Sequence, residues 1–308
     1  MTGRIVVGTS SWADPGFVAD WYPADLPAAK QLPYYAERFE AVELNSSFYA
    51  LPSRDAAARW ARATPSGFTF DVKLHRLLSR HAAGLESLPA DLREGVETTG
   101  RGRVVMTPAL EAAIVERLLE GVAPLEQAGK LKAFLLQLSP AFAPRSHDLH
   151  ELDALLGRLA PHCVAVEFRH RGWVDDRRLR DTLTYLSDRG ASFVCVDAPA
   201  GDQVTILPPI DSVTADRLAY FRAHGRNLRG YVSGRSVPER FGWRYSDDEL
   251  QEIRRRVEAL AEQASEVRVM YNNNRSADAP IAARRFRELL GQVPEPEAEE
   301  PRHLARAR

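Results

Sequence analysis

The sequence is short of the residues and patterns that mark several common classes of protein. Its 308 positions hold two cysteines, Cys163 and Cys195, and both sit inside apolar runs (HCVAVEF and ASFVCVD). A thiol in such a run packs as a small hydrophobe, so reduced, structural cysteines are expected rather than a disulfide framework. No uninterrupted apolar run approaches the roughly 18 residues of a membrane span, and no positively charged leader precedes an apolar stretch after Met1. The expectation is a cytoplasmic protein without membrane association. Charge of one sign is missing too: 41 basic against 42 acidic residues leave a net charge of −1. That balance lacks the electrostatic footprint of a dedicated duplex-DNA or membrane-surface binder, although a local basic patch is compatible with it. Among motifs, no G-x-G-x-x-G follows the first strand-like run, which ends in GTSSW, so the dinucleotide fingerprint is absent. There is no G-x-S-x-G elbow for a serine nucleophile, and no H-x-x-x-H or H-E-x-x-H spacing for a metal.

What is present is an alternation. Eight short apolar runs, Arg4–Gly8, Ala41–Leu44, Phe68–Val72, Ala133–Leu138, Val164–Phe168, Ser192–Val196, a weaker Leu218–Arg222, and Val267–Tyr271, are separated by segments with apolar residues three or four apart. Those segments, around 53–63, 109–120, 148–160, 175–189, 247–264 and 278–290, read as outer helices. Ser246 before Asp247, Asp248 and Glu249 reads as a helix start, because a hydroxyl caps free backbone N–H groups and acids suit the positive end of the helix dipole. Eight strand-then-helix units over about 290 residues predict an α/β protein of the (β/α)8 TIM-barrel type. Residues 1–292 read as that single domain, with long loops after strands 3 (76–108) and 6 (198–216). The segment 293–308, nearly devoid of apolar residues, reads as a disordered charged tail.

In such a barrel the chemistry gathers where strands end, and here those ends carry polar pairs two residues apart. The pairs are Glu43 and Asn45, Asp71 and Lys73, Gln137 and Ser139, Glu167 and Arg169, and Asn272 and Asn274. Side chains alternate along a strand, so each pair shares one face while Leu44, Val72, Leu138, Phe168 and Asn273 take the other. Any one pair is more simply a satisfied hydrogen-bond network; five together point to a mouth kept polar for a ligand. Glu167 is the candidate general acid or base, with Arg169 as its partner or an anion clamp and Lys73 as a point charge for phosphate or carboxylate. Glu43, Asn45, His81, Gln137, Asp197, Arg222, His224, Asn272 and Asn273 are candidate substrate-binding residues. Asp197 serves equally well as a loop cap before Ala198-Pro199. A divalent metal on Glu43, Glu167, Asp197 and His81 or His224 has weak support, since no linear ligand pattern backs it. The aromatics Trp12, Phe17, Trp21, Tyr22, Phe48 and Tyr49 read mostly as packing, with one or two left to stack on a sugar or base.

With these segments in view, the sequence resembles the DUF72 family of uncharacterised proteins, which includes the bacterial YecE-like proteins. The resemblance rests on GTSSW at 8–12, WYP at 21–23, ELNSSFY at 43–49, FTFDVK at 68–73 followed by His81, and LLQLSPAF at 135–142. It continues with VEFRHRGW at 166–173, FRAHGR at 221–226, RYSDDEL at 244–250 and YNNN at 271–274. It implies a TIM-type barrel, in agreement with the strand count, and brings no established reaction. Family members commonly carry Ser before the tryptophan of the VEFRH-x-x-W segment and His after the double Asn, where this chain has Gly172 and Asn274. The family's suggested fold relationship to endonuclease IV and xylose isomerase-like barrels is an analogy, because this chain lacks their density of metal ligands.

Two functions follow from the residues. The first is an enzyme, a hydrolase, isomerase or lyase, acting on a small phosphorylated or polyhydroxylated molecule at the barrel mouth by general acid/base chemistry. The second is a nucleic-acid or phosphate-binding protein without chemistry, using Arg101, Arg103, Arg222, Arg226 and Arg229 beside the loop aromatics; the neutral net charge disfavours it. Neither reading fixes the oligomeric state.

Overall fold

A computed structural model describes residues 2–273 and 275–293. Eight parallel strands close a barrel in chain order: β1 (Arg4–Thr9), β2 (Ala41–Leu44), β3 (Thr69–Lys73), β4 (Leu131–Gln137), β5 (Cys163–Glu167), β6 (Ser192–Asp197), β7 (Ala219–Ala223) and β8 (Glu266–Tyr271). β8 returns to β1 in unbroken register, from Glu266 opposite Arg4 to Tyr271 opposite Thr9. Each predicted apolar run became a strand with its ends shifted by two residues at most. Asn274 and the tail from Pro294 lie outside the described residues, so the shared face of Asn272 with Asn274 and the disorder of the tail are not addressed by the structure.

The helices are α1 (Pro15–Asp20) and α2 (Ala28–Ala36) after β1, α3 (Arg54–Arg62), α4 (Pro108–Gln127), α5 (Asp153–Leu159), α6 (Leu179–Asp188), then α7 (Leu228–Ser233), α8 (Val237–Phe241) and α9 (Asp247–Ala261) after β7, and α10 (Asp278–Leu289). The six expected helices are there. The sequence reading missed the short α7 and α8, and also α1 and α2, whose stretch holds Pro15, Pro23, Pro27 and Pro33; proline removes a backbone donor and hides a helical pattern. Tertiary contact overrides that local signal: the Tyr35 hydroxyl on α2 accepts from the Thr9 backbone N–H at 2.9 Å and donates to the Ala41 carbonyl at 3.0 Å, fastening α2 across the β1–β2 seam. The connection from β6 to β7 contains no helix, so the expected long loop alone bridges that step. Ser246 caps α9 as predicted, accepting from the Glu249 N–H at 3.3 Å while Glu249 Oε2 accepts from the Ser246 N–H at 2.9 Å.

Strand alternation divides the barrel into two chemistries. The outward positions, among them Val42, Phe70, Val72, Phe134, Leu136, Val166, Phe193, Phe221 and Val269, are buried against the helices. Each such side chain contributes about 1.5–3 kcal/mol on burial. The inward positions are strongly polar for a parallel barrel, whose interior is normally filled by branched apolar layers. Gly8 faces inward on β1 and must be glycine: a Cβ there would stand 2.2 Å from the Ala41 carbonyl oxygen, closing the gap through which β1 and β2 approach.

Candidate functional site

The inward polar residues form a connected ladder along the barrel axis. At its lower end Arg268 on β8 donates to Asp71 Oδ2 (2.8 Å), Thr69 Oγ1 (2.9 Å) and Glu266 Oε1 (3.2 Å). The Tyr220 hydroxyl lies 3.0 Å from both Asp71 Oδ2 and Glu43 Oε2. Above it Arg222 grips both oxygens of Glu43, through Nε at 3.0 Å and Nη2 at 2.6 Å, and donates from Nη1 to Glu167 Oε2 at 2.5 Å. Glu167 Oε1 accepts from Gln137 Nε2 (2.9 Å) and His224 Nε2 (3.1 Å), with Arg169 Nη1 at 3.5 Å. Asn272 Nδ2 stands 3.0 Å from His224 Nδ1, so the neutral histidine carries its proton on Nε2, facing Glu167. Glu43, Asp71, Glu167, Arg222 and Arg268 are all essentially excluded from solvent.

Local sequence explains this convergence. Tyr220, Arg222 and His224 lie at alternate positions of AYFRAH and therefore share the inner face of β7 and its continuation. Gly225 then takes φ +83°, which turns the chain so that the neighbouring Arg226 leaves the barrel. Arg226 meets Asp197, whose carboxylate also accepts from the Tyr245 hydroxyl at 2.7 Å and faces Arg256. Asp197 and Cys195 thus belong to the outer face of β6, and Asp197 ties the β6 end to α9 instead of joining the ladder. Asn273 likewise points outward, donating to the Trp243 carbonyl at 2.8 Å. The ladder does bring together Glu43, Gln137, Glu167, Arg169, Arg222, His224 and Asn272, with Lys73, Asn45 and His81 at its rim. Sequence reasoning placed Asp71 on the inner face without assigning it to the site, and passed over Tyr220, Arg268 and Ser10. The period-two spacing of Tyr220 to Arg222 was a usable signal; the depth of Arg268 in the barrel was not.

Electrostatics set the protonation states. Burial raises the Glu167 pKa, but Arg222 and then His224 outweigh it and hold the carboxyl well below the ordinary carboxylate range. Glu167 is therefore an anchored carboxylate. Burial raises Asp71 to about 6 against the pull of Arg268, with nearby Glu43 adding to the rise. Burial lowers His81 to about 4, helped by the charge of Lys73, and lowers His224 despite Glu167 beside it. Both histidines are neutral at pH 7.

Lys73, like Arg76 on the other approach to the same Phe48 ring, lacks the ion pairs that hold Arg169 and Arg222. Its ammonium has no hydrogen bond or ion pair among the described residues and sits 4.6 Å from the centre of the Phe48 ring. Burial lowers its pKa to about 8, with Arg222 contributing and Glu43 and Glu167 opposing. Three more atoms at the rim lack partners: Nε2 of His81, Nε of Arg76 and Oδ1 of Asn45 are buried without a hydrogen bond, although Asn45 Nδ2 donates to the Ser10 carbonyl at 2.7 Å. A cleft of about 320 Å³ opens between Arg169, Tyr231, Thr205 and Phe241, and Arg169 Nη2 donates to the Tyr231 hydroxyl at 3.1 Å. A larger cleft of about 620 Å³ lies at the opposite end of the barrel, against His162, Cys163 and Thr214, away from the ladder. Of the aromatics, Trp12 packs edge-on against Trp60 and Trp21 against Tyr22, whereas Phe48 floors the Lys73 site and Tyr49 is exposed. Among the described residues no three His, Cys, Asp or Glu side chains are grouped to hold a metal ion, and no helix is long and apolar enough to cross a membrane.

Fold and site together define a closed (β/α)8 barrel with a charged interior and a polar mouth at the C-terminal ends of its strands. The model of the family described as "Protein of unknown function DUF72" matches residues 6–305, and the chain belongs to that family. It is 27% identical over 290 residues to the UPF0759 protein YunF of Bacillus subtilis, covering 93% of this chain and 94% of the relative. To the UPF0759 protein YecE of Escherichia coli K12 it is 27% identical over 197 residues, 63% of this chain and 59% of the relative. Among solved structures, a DUF72 family protein from Thermotoga maritima superposes with a TM-score of 0.75 at 29% identity, covering 94% of this chain and 99% of the other. One from Enterococcus faecalis superposes at 0.74 with 24% identity, over 94% and 98% of the two chains. These similarities fix family and fold and assign no substrate.

Proposed function

We propose that the mouth binds a small anionic, polyhydroxylated molecule such as a phosphorylated sugar and transforms it by proton transfer. The observation that carries this reading is the Lys73 ammonium without an ion pair at the rim of a ladder whose acids, Glu43 and Glu167, are already engaged by Arg222. A half-buried amine without a counter-ion gives up part of its hydration with only the Phe48 face in return, a cost that is recovered when an anion arrives. Arg169 beside it presents a fork suited to phosphate, and the free acceptors on Asn45 and His81 suit hydroxyl donors. Proton transfer falls to Lys73, whose pKa of about 8 is close to neutral pH. Glu167, anchored by Arg222 and His224, keeps its charge and orients the histidine. Hydrolysis, isomerisation and elimination are all compatible with this division of labour.

The test uses ribose 5-phosphate against ribose, with the wild type, Lys73→Met and Arg169→Ala. Preferential stabilisation of the wild type by the phosphorylated sugar, lost in both variants, supports the proposal. Equal responses to the two sugars, or full retention in both variants, would overturn it.

A further inference from the structure

We propose that Lys73 is a nucleophile that forms a Schiff base with the carbonyl carbon of a phosphorylated aldehyde or ketone bound at the mouth. This deepens the reading above and rests on it.

The chain uses arginine almost wherever it needs a cation: of 41 basic residues only Lys30, Lys73, Lys130 and Lys132 are lysine. Two of the other three have evident structural duties. Lys130 donates to the Ala61 and Thr64 carbonyls and to Thr64 Oγ1 at 2.6, 2.6 and 2.8 Å, and Lys132 pairs with Glu266 at 2.9 Å. Lys30 is exposed. Of the four lysines only Lys73 sits in the mouth without a hydrogen bond or ion pair among the described residues, where an arginine would supply charge but no nucleophile, since a guanidinium stays protonated. The surroundings suit an amine that must lose its proton. Burial, the fully buried Arg222 and nearby Arg169 oppose a positive charge there and outweigh the attraction of the Phe48 face, and His81 leaves a bare Nε2 beside it. With a pKa of about 8, about a tenth of Lys73 is neutral at pH 7, some 300-fold more than for an ordinary lysine at 10.5.

In the step itself, the Nζ lone pair forms a C–N bond to the carbonyl carbon as the C=O π electrons pass to oxygen. One proton moves from nitrogen to that oxygen, giving a carbinolamine. A second proton, taken from solvent, lets the hydroxyl leave as water, and the nitrogen lone pair forms the iminium. The iminium withdraws electrons from the adjacent carbon, which eases loss of a proton or of a carbon group from it. Arg169 would hold the phosphate.

The test treats the full chain at pH 7 with pyridoxal 5′-phosphate or pyridoxal, reduces with borohydride and maps the modified lysines by mass spectrometry. Four lysines make the map unambiguous. The expected result is a reduced adduct on Lys73 ahead of Lys30, at least tenfold more with the phosphorylated aldehyde, rising with pH to a midpoint near 8. Lys73→Arg, checked for folding by circular dichroism, should lose that adduct and keep labelling at Lys30. Labelling of Lys30 in preference to Lys73, a midpoint near 10.5, or no phosphate preference overturns the inference. If ribose 5-phosphate still stabilises the protein, the inference falls and the binding reading stands; if it does not, both fall.

Discussion

Arg222 is the residue on which the barrel interior turns, and its removal tests the ladder directly. Its guanidinium is fully buried, makes three close bonds to the carboxylates of Glu43 and Glu167, and lies 3.4 Å from Ser10 Oγ. Substitution by methionine of similar length fills the space yet leaves two carboxylates in a site closed to water. Breaking a buried pair on one side costs about 3–5 kcal/mol, because the remaining charge is uncompensated. At roughly 2 °C of melting temperature per kcal/mol for a chain of this size, Arg222→Met should melt about 6–10 °C lower. The triple variant Arg222→Met, Glu43→Gln, Glu167→Gln removes all three charges and should recover at least half of that loss. Calorimetry and urea unfolding on the wild type, the single and the triple variant measure both effects. A single-variant loss under about 1 kcal/mol, or a triple variant no better than the single, would refute the claim that the interior is stabilised as a charge-balanced unit.

Lys73→Met should raise stability by about 1 kcal/mol at pH 7 while abolishing ligand response, the signature of a residue kept for function at a cost to the fold. With the pKa held near 8 in the folded state against 10.5 unfolded, the wild type regains stability as pH rises from 8 to 10.5. The gap to Lys73→Met in urea titrations should close across that window. Asp71 has the opposite sign: its folded pKa of about 6 lies above the ordinary aspartate value of 3.8, so its contribution is fully present below 3.8 and lost as pH rises through 6. Asp71→Asn should lack that fall, which unfolding measured at pH 4, 5 and 6 will show. In nuclear magnetic resonance titrations the His81 ring should stay neutral down to a midpoint near 4, and a midpoint near 6.5 would contradict its burial.

Much of this architecture was legible because it depends on short-range periodicity. Val42, Phe70, Phe134 and Val166 stand at alternate positions facing the helices, so the eight runs and the inward direction of Glu43, Asp71, Lys73, Glu167 and Arg169 could be read from strand geometry alone. Ser246 and Glu249 declared the start of α9 through a local hydrogen-bond pattern. The same alternation assigns Asp197 and Asn273 to the outer face, but their polar character at strand ends mimicked a site. Which charges meet is another matter. Glu43 and Arg222 are 179 residues apart and Asp71 and Arg268 are 197 apart, and only closure of β8 onto β1 brings such pairs within 3 Å. Protonation follows from the same closure: Glu167 became an anchored carboxylate because Arg222 and His224 surround it, and Lys73 became the mouth's single unpaired amine because the acids near it are already engaged. Sequence determined which side chains face the axis; tertiary structure decided which of them neutralise one another and which is left to meet a ligand, since electrostatic energy depends on distance and burial rather than on order along the chain.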